Sequence, residues 1–342
     1  MESKKINLKK RQHYVPQFYL SHWIGREGVF VRNNISKKSY RQRNTKEIAE
    51  ENYFYSIKMD DVVWDMLLYR YSDEIESNPY IRLLFNEFAI LKEADIFVNK
   101  ELLINNNDEK SMEFARKCLE DFNKIFLEDK YSQVESAISE IMKKIIREQE
   151  SKIIIPIDDK MFFSLLIFYS LQLFRTKKMM SKALEKIEGF ILNRGDEEIV
   201  LDDSQKKTLL KCMLYITSFQ FALRIEKECF AIKIYKNHTK INYITSDSPA
   251  IFYNDDSVAA MPLSPRLFVQ FSLNKKIKEI LPARIGFETI DIYNTEKIKR
   301  INKLIHDFSD DFLFAKKNVD LNFGNDSNLL IVFYVQIMPD DF

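Results

Sequence analysis

The chain has 342 residues, 46% hydrophobic and 30% charged, with a formal net charge of +1. That composition suits a globular protein with one large core or two medium ones and excludes a disordered or fibrous chain. Only six glycines occur, with no GxGxxG and no GxxxxGK[ST], so a Rossmann or P-loop phosphate cradle is excluded and no cofactor is expected.

Pro16 to Ile24 reads as a short helix that Gly25 ends. Gly28–Arg32 and Lys38–Arg41 read as a hairpin around Asn33-Asn34, Thr45–Ala49 as a helical turn and Tyr53–Ile57 as a strand. From Val62 the apolar spacing becomes helical: Val62–Ile75, then residues 80–150 broken by a loop at Asn105–Asp108. Pro156–Asp159 starts the most apolar helix, Met161–Met180; a break at Asn193–Asp196 precedes a helix over Leu209–Glu226. Strands follow over Cys229–Tyr235, Lys240–Thr245, Ala250–Tyr253, Ala259–Leu263, Arg266–Leu273 and Ile290–Tyr293. A helix over Thr295–Phe308 and strands at Phe312–Ala315 and Leu329–Ile337 close the chain. The expected class is α+β: an antiparallel or mixed sheet from N- and C-terminal strands around a large helical middle. The expected organisation is a single domain over residues 1–342. It has a flexible basic leader at 1–10, a helical lobe at 60–226, and a strand-rich part at 227–342 packing with 11–57.

Charge is unevenly spread. Residues 1–46 hold 12 Lys/Arg against 2 Asp/Glu, so the rest sums to −9. Such a block is an electrostatic footprint for the phosphates of RNA or DNA; a solvated leader explains its first ten residues equally well. Cys118, Cys212 and Cys229 are far apart, form no CxxC pattern and suit a reducing compartment. The start MESKKINLKKRQ lacks a signal peptide's apolar core, and Met161–Phe174 is shorter than the roughly 20 residues that span a bilayer. A cytoplasmic protein without a membrane partner is expected. The sequence leaves the oligomeric state open.

Several motifs in order carry a resemblance. They are His13-Tyr14-Val15-Pro16-Gln17 with Phe18-Tyr19-Leu20, Asn52-Tyr53-Phe54-Tyr55, Leu171-Gln172-Leu173-Phe174-Arg175-Thr176, Thr245-Ser246-Asp247-Ser248-Pro249, Pro262-Leu263-Ser264-Pro265, and Asn294. Together they resemble the bacterial HYVPQ-motif family known as domain of unknown function 4238, over about residues 9 to 315. Many members are expected to have a proline after the Arg-Thr pair, where this chain has Lys177. The resemblance implies no established reaction. Its members' company among mobile and defence-associated loci implies an antiphage or toxin-like role, with a phage protein or partner protein as a further candidate ligand.

His13 is the natural proton carrier, because an unperturbed imidazole titrates near neutrality. Gln17, four residues on, shares its face if the intervening turn is helical. Arg11 and Arg175 suit bidentate phosphate binding. Arg175 ends a strongly apolar helix and must be paired or face a cavity, with Asp247 as the expected partner; an Arg–Asp brace explains the same pattern. Gln172 shares the Arg175 face. Tyr14, Thr245, Ser246, Ser264 and Asn294 complete the candidate binding residues. No GxSxG or SxxK surrounds Ser246, and turn formation explains Ser246, Asp247 and Ser264 better than catalysis does. The four histidines match no zinc spacing, so no metal is expected. Of the D/E-x-K matches, at Glu2, Asp108, Glu128, Glu150 and Asp158, only Glu150-Ser151-Lys152 leads into a β-branched run. The sequence thus points to a nucleic-acid-processing effector, a metal-independent ribonuclease. In it His13 transfers protons, Arg11 and Arg175 clamp phosphate, and Gln17 and Asp247 position groups. A non-enzymatic sensor of ligand, nucleic acid or phage protein, and a purely structural polar network, are the alternatives.

Overall fold

The structure is a computed structural model that describes residues 9–104, 109–150, 158–187, 191–194, 197–253, 258–274 and 286–322. The chain forms two compact units. The first comprises residues 1–14, 50–136 and 178–220, the second residues 15–49, 137–177 and 221–342. Among the described residues no helix is long and apolar enough to cross a membrane. The class is α+β, with a large helical middle between N- and C-terminal strands.

The first unit opens with β1 (Arg11–His13), antiparallel to β4 (Glu50–Asn52). Its helices are α2 (Asp61–Ser77), α3 (Pro79–Ile104), the first part of α4 (Glu109–Glu150), α6 (Lys177–Ile187) from Lys178, and the first part of α7 (Asp203–Glu228). Asp60 caps α2 by accepting from the Val63 amide at 2.9 Å, as an N-terminal Asp should. Aromatic edges fill the core: Tyr131 meets Tyr55 and Tyr215, and Phe88 meets Phe126 and Tyr215. The small antiparallel pair β5 (Ile191–Arg194) and β6 (Glu197–Val200) also belongs here.

The second unit holds two sheets. In one, β3 (Ser39–Gln42) and β2 (Val29–Asn33) pair onward with β13 (Phe312–Ala315) and β8 (Thr245–Ser246), so N- and C-terminal strands share a sheet as expected. The other is mixed. It runs β12 (Gly286–Ile292), β7 (Cys229–Asn237), β11 (Leu267–Leu273), β10 (Val258–Ser264), β9 (Ile251–Tyr253), and only β12 and β7 are parallel. Between β8 and β13 the chain also forms α8 (Thr295–Phe308), whose Ile298 and Ile305 enter the core with Ile251, Ala260 and Leu313. Helix α5 (Asp159–Phe174) is buried on nearly every side: Tyr169 reaches the Ile251 carbonyl at 2.8 Å and its ring meets Phe271. That surround explains why α5 is apolar all round.

Several expected elements change, each for a local reason. Pro16–Ile24 resolves into α1 (Gln17–Leu20) and a 3₁₀ turn at Ser21–Trp23. Thr45–Ala49 forms no helix, and Tyr53–Ile57 no strand. Ala49 and Tyr53 take positive φ (52° and 51°), which ends regular structure, and the strand lies instead at Glu50–Asn52. The Met161–Met180 helix is two, because Arg175 caps α5 outside the helical region. Of Lys240–Thr245 only Thr245 is strand, in β8; the residues before it are not, because their amides are taken by other partners. Asn242 donates to Asp320 Oδ1 at 2.9 Å, Tyr243 to the Pro265 carbonyl at 3.0 Å, and Ile244 to Asn302 Oδ1 at 3.1 Å. The expected Asn105–Asp108 loop, the Leu329–Ile337 strand and the Ile153–Ile155 run lie outside the described residues.

Candidate functional site

The residues singled out by sequence divide between the two units. Arg11, His13 and Tyr14 lie in the first; Gln17, Gln172, Arg175, Thr245, Ser246, Asp247, Ser264 and Asn294 lie in the second.

In the first unit β1 alternates. Gln12 points inward and is fully buried, whereas Arg11 and His13 share the other face. His13 stands directly opposite Glu50 in the β1–β4 register, with Arg11 opposite Asn52. Residues so opposed have side chains within contact range. The Arg11 guanidinium grips Glu50 through Nε and Nη2, one nitrogen on each carboxylate oxygen. Its fork is therefore closed on a carboxylate, and a phosphate would have to compete for it. The result is a half-buried His13, its Nε2 enclosed, opposite an Arg-held carboxylate across the ladder. Tyr14 is core, tilted against Phe54 at 5.5 Å. Gln12 donates to the Lys124 carbonyl at 2.8 Å and accepts from the Tyr55 amide at 2.7 Å, while the Tyr55 hydroxyl donates to the His13 carbonyl at 3.2 Å. Gln12 and Glu50 were missed from sequence. Neither is legible along the chain: β1 is too short to show a period, and Glu50 needs the strand pairing.

His13 and Gln17 do not share a helical turn, because His13 ends a strand and Gln17 opens α1 after Pro16. Gln17 is exposed. Two residues on, Tyr19 is fully buried and joins three motifs within the second unit. Its hydroxyl donates to the Pro262 carbonyl at 2.8 Å and lies 2.7 Å from Thr245 Oγ1. With the phenolic proton spent on Pro262, Thr245 is the donor in that pair. Burial raises the Tyr19 hydroxyl far above its usual pKa, against the smaller pull of Thr245.

The other hydroxyls serve turns. Ser246 accepts from the Ser248 amide and Ser264 from the Arg266 amide, both at 3.1 Å. Asn294 caps α8 by accepting from the Glu296 amide at 2.8 Å. Asp247 does not serve Arg175 as expected. Its Oδ1 accepts from the Asp310 amide at 3.0 Å, and its Oδ2 from Asp311 and Phe312 at 2.7 and 2.9 Å. Burial lifts its carboxyl to about 6, with those three amides pulling the other way. The same brace gathers Asp247, Asp310 and Asp311, whose carboxylate oxygens lie within 4.8 Å of one another. Three converging main-chain amides account for the arrangement. Of the D/E-x-K matches, Glu128 lies inside α4 and Asp158 caps α5. Asn302, also missed from sequence, sits fully buried on the apolar stripe of α8.

Helix α5 carries an anomaly. Gln172 is 0% exposed, and among the described residues neither its Nε2 nor its Oε1 has a hydrogen-bond partner; the Ser170 hydroxyl is in the same condition. Arg175, three residues on, is 3% exposed. A buried polar group left unmatched costs about 1–3 kcal/mol.

The model of the family described as protein of unknown function (DUF4238) matches residues 11–318. No curated protein and no solved structure matches the chain.

Proposed function

We propose that this chain, which belongs to the DUF4238 family, is a nucleic-acid-processing protein that cleaves RNA without a metal ion. The observation that carries the reading is His13 facing Glu50 across the β1–β4 ladder, with Glu50 held by Arg11. In this reading the imidazole takes the proton of a ribose 2′-hydroxyl as that oxygen attacks the adjacent phosphorus. The P–O5′ bond breaks, the 5′-oxygen leaves and takes a proton from water, and a 2′,3′-cyclic phosphate remains. Glu50 stabilises the imidazolium so formed, and Arg11 fixes Glu50. The basic block of residues 1–46 supports the choice of substrate. An antiphage or toxin-like setting, which the family resemblance implies, is part of the same proposal.

Purified protein in EDTA is incubated with total RNA, tRNA and DNA, beside His13→Ala. RNA is cleaved and DNA, lacking the 2′-hydroxyl, is not; the variant loses about 10²–10⁴ in rate with its melting temperature largely kept. No cleavage of any substrate, or equal cleavage by the variant, ends the proposal.

A second reading, a ligand sensor without catalysis, draws on the unmatched Gln172 amide in the second unit. A small polar ligand that raises the melting temperature of the wild type but not of Gln172→Met favours it.

A further inference from the structure

The parallel strands β7 and β12 emerge side by side, and the residues just beyond them form a built surface. His238 follows β7 and Tyr293 follows β12. Their rings stack at 4.8 Å with 13° between planes. His238 Nε2 lies 2.5 Å from Asp291 Oδ1, and the His238 amide donates to the Ile292 carbonyl at 2.9 Å. The loop beneath is braced in turn. Arg266 donates to the Thr239 carbonyl at 2.5 Å, Asn237 Nδ2 to the Ile241 carbonyl at 2.7 Å, and the Thr239 amide to Asn237 Oδ1 at 2.9 Å.

This rigid support ends in an aromatic ring that is 73% exposed. One face of Tyr293 lies on His238, so the opposite face is turned away from that support. Folding gains little from fixing a ring in water, but a stacking ligand gains much, since its platform is already ordered. The surroundings are cationic. Residues 236–240 and 291–300 carry five Lys/Arg against Asp291 and Glu296. Both acids are engaged, Asp291 with His238 and Glu296 with Lys299 at 2.8 Å. Lys240 and Lys297 are exposed beside the stack's two supporting segments.

We propose that the His238–Tyr293 stack is a platform for an unpaired nucleobase, with Lys240 and Lys297 serving the flanking phosphates. It takes its ligand class from the nucleic-acid reading above and lies on residues that reading does not use. A base stacks on the outer face of Tyr293, as on the aromatic platforms of single-strand binders. A duplex, whose bases are already stacked, cannot use it.

The test is fluorescence anisotropy with a labelled 12-nucleotide single-stranded DNA, which has no 2′-hydroxyl to cleave, and with a duplex of equal length. The single strand binds more tightly than the duplex, Tyr293→Ala weakens it about tenfold, and Tyr293→Phe restores it. Equal binding by wild type and Tyr293→Ala, equal affinity for duplex and single strand, or no binding of the single strand overturns the platform. RNA cleavage that depends on His13, found with binding indifferent to Tyr293, sinks the platform and keeps the nuclease. Tyr293-dependent binding without RNA cleavage does the reverse.

Discussion

Asp247 shows how a residue type can be read correctly as unusual and wrongly as to partner. A buried carboxylate beside a turn invites pairing with a buried guanidinium, but three successive amides of residues 310–312 reach it instead. Burial outweighs those amides and raises its pKa from 3.8 to about 6. The native state therefore holds this proton between about pH 4 and pH 6 while the unfolded chain has released it. The stability this residue contributes is fully present below the unfolded pKa and is lost as pH rises through about 6. Denaturant melts at pH 4 and pH 7 should show wild-type stability falling, relative to Asp247→Asn, by about 2 kcal/mol over that span. An unchanged difference would mean that the carboxyl titrates normally.

At the scale of elements, α5 is the informative piece. Its start and apolar character were legible, as was the polar spot at Gln172 and Arg175. Its division from α6 was not, because the stop is made by the backbone of Arg175 and not by a proline or glycine. Two buried polar groups without partners among the described residues, Ser170 and Gln172, burden this helix. Gln172→Met keeps the volume and removes the unmatched amide, so the ligand-free protein should gain about 1–3 kcal/mol in chemical denaturation. A loss of stability instead would mean that the amide is satisfied in solution. Strands tell the opposite story. β1 and β4 are three residues each, too short for a period to show, and they place His13 against Glu50 only by pairing residues 37 positions apart. The Lys240–Thr245 stretch has strand composition, yet Asp320, Asn302 and Pro265 satisfy its amides from far along the chain.

For the whole molecule, charge is the property that sequence states most directly. Residues 1–46 carry a balance of +10 on a chain of net +1, so RNA binding should weaken steeply with salt. Replacing Lys4, Lys5, Lys9 and Lys10 with Gln should lower the slope of log K against log salt by up to about 3, from roughly 0.7 per phosphate contact on a single strand. An unchanged slope would place the phosphate contacts elsewhere. The division into two units bears on the motifs at the same scale. The decapeptide from Arg11 to Leu20 crosses the boundary after Tyr14, and the motifs at residues 171–176, 245–249 and 262–265 all fall in the second unit. Tyr19 ties the 245–249 and 262–265 motifs together, which explains their occurrence in one chain without invoking a reaction.

By itself the sequence determined the α+β class, the helical middle, the long helices and the residue types able to move a proton or hold a phosphate. These follow from local periodicity and side-chain chemistry, which a linear pattern records. Only the tertiary structure decided that Arg11 holds Glu50, that Asp247 braces residues 310–312, that the Gln172 amide is unmatched, and that Tyr293 lies on His238. Each of these depends on which distant backbone or side-chain groups converge, and hydrogen bonding and burial are satisfied in space, not along the chain.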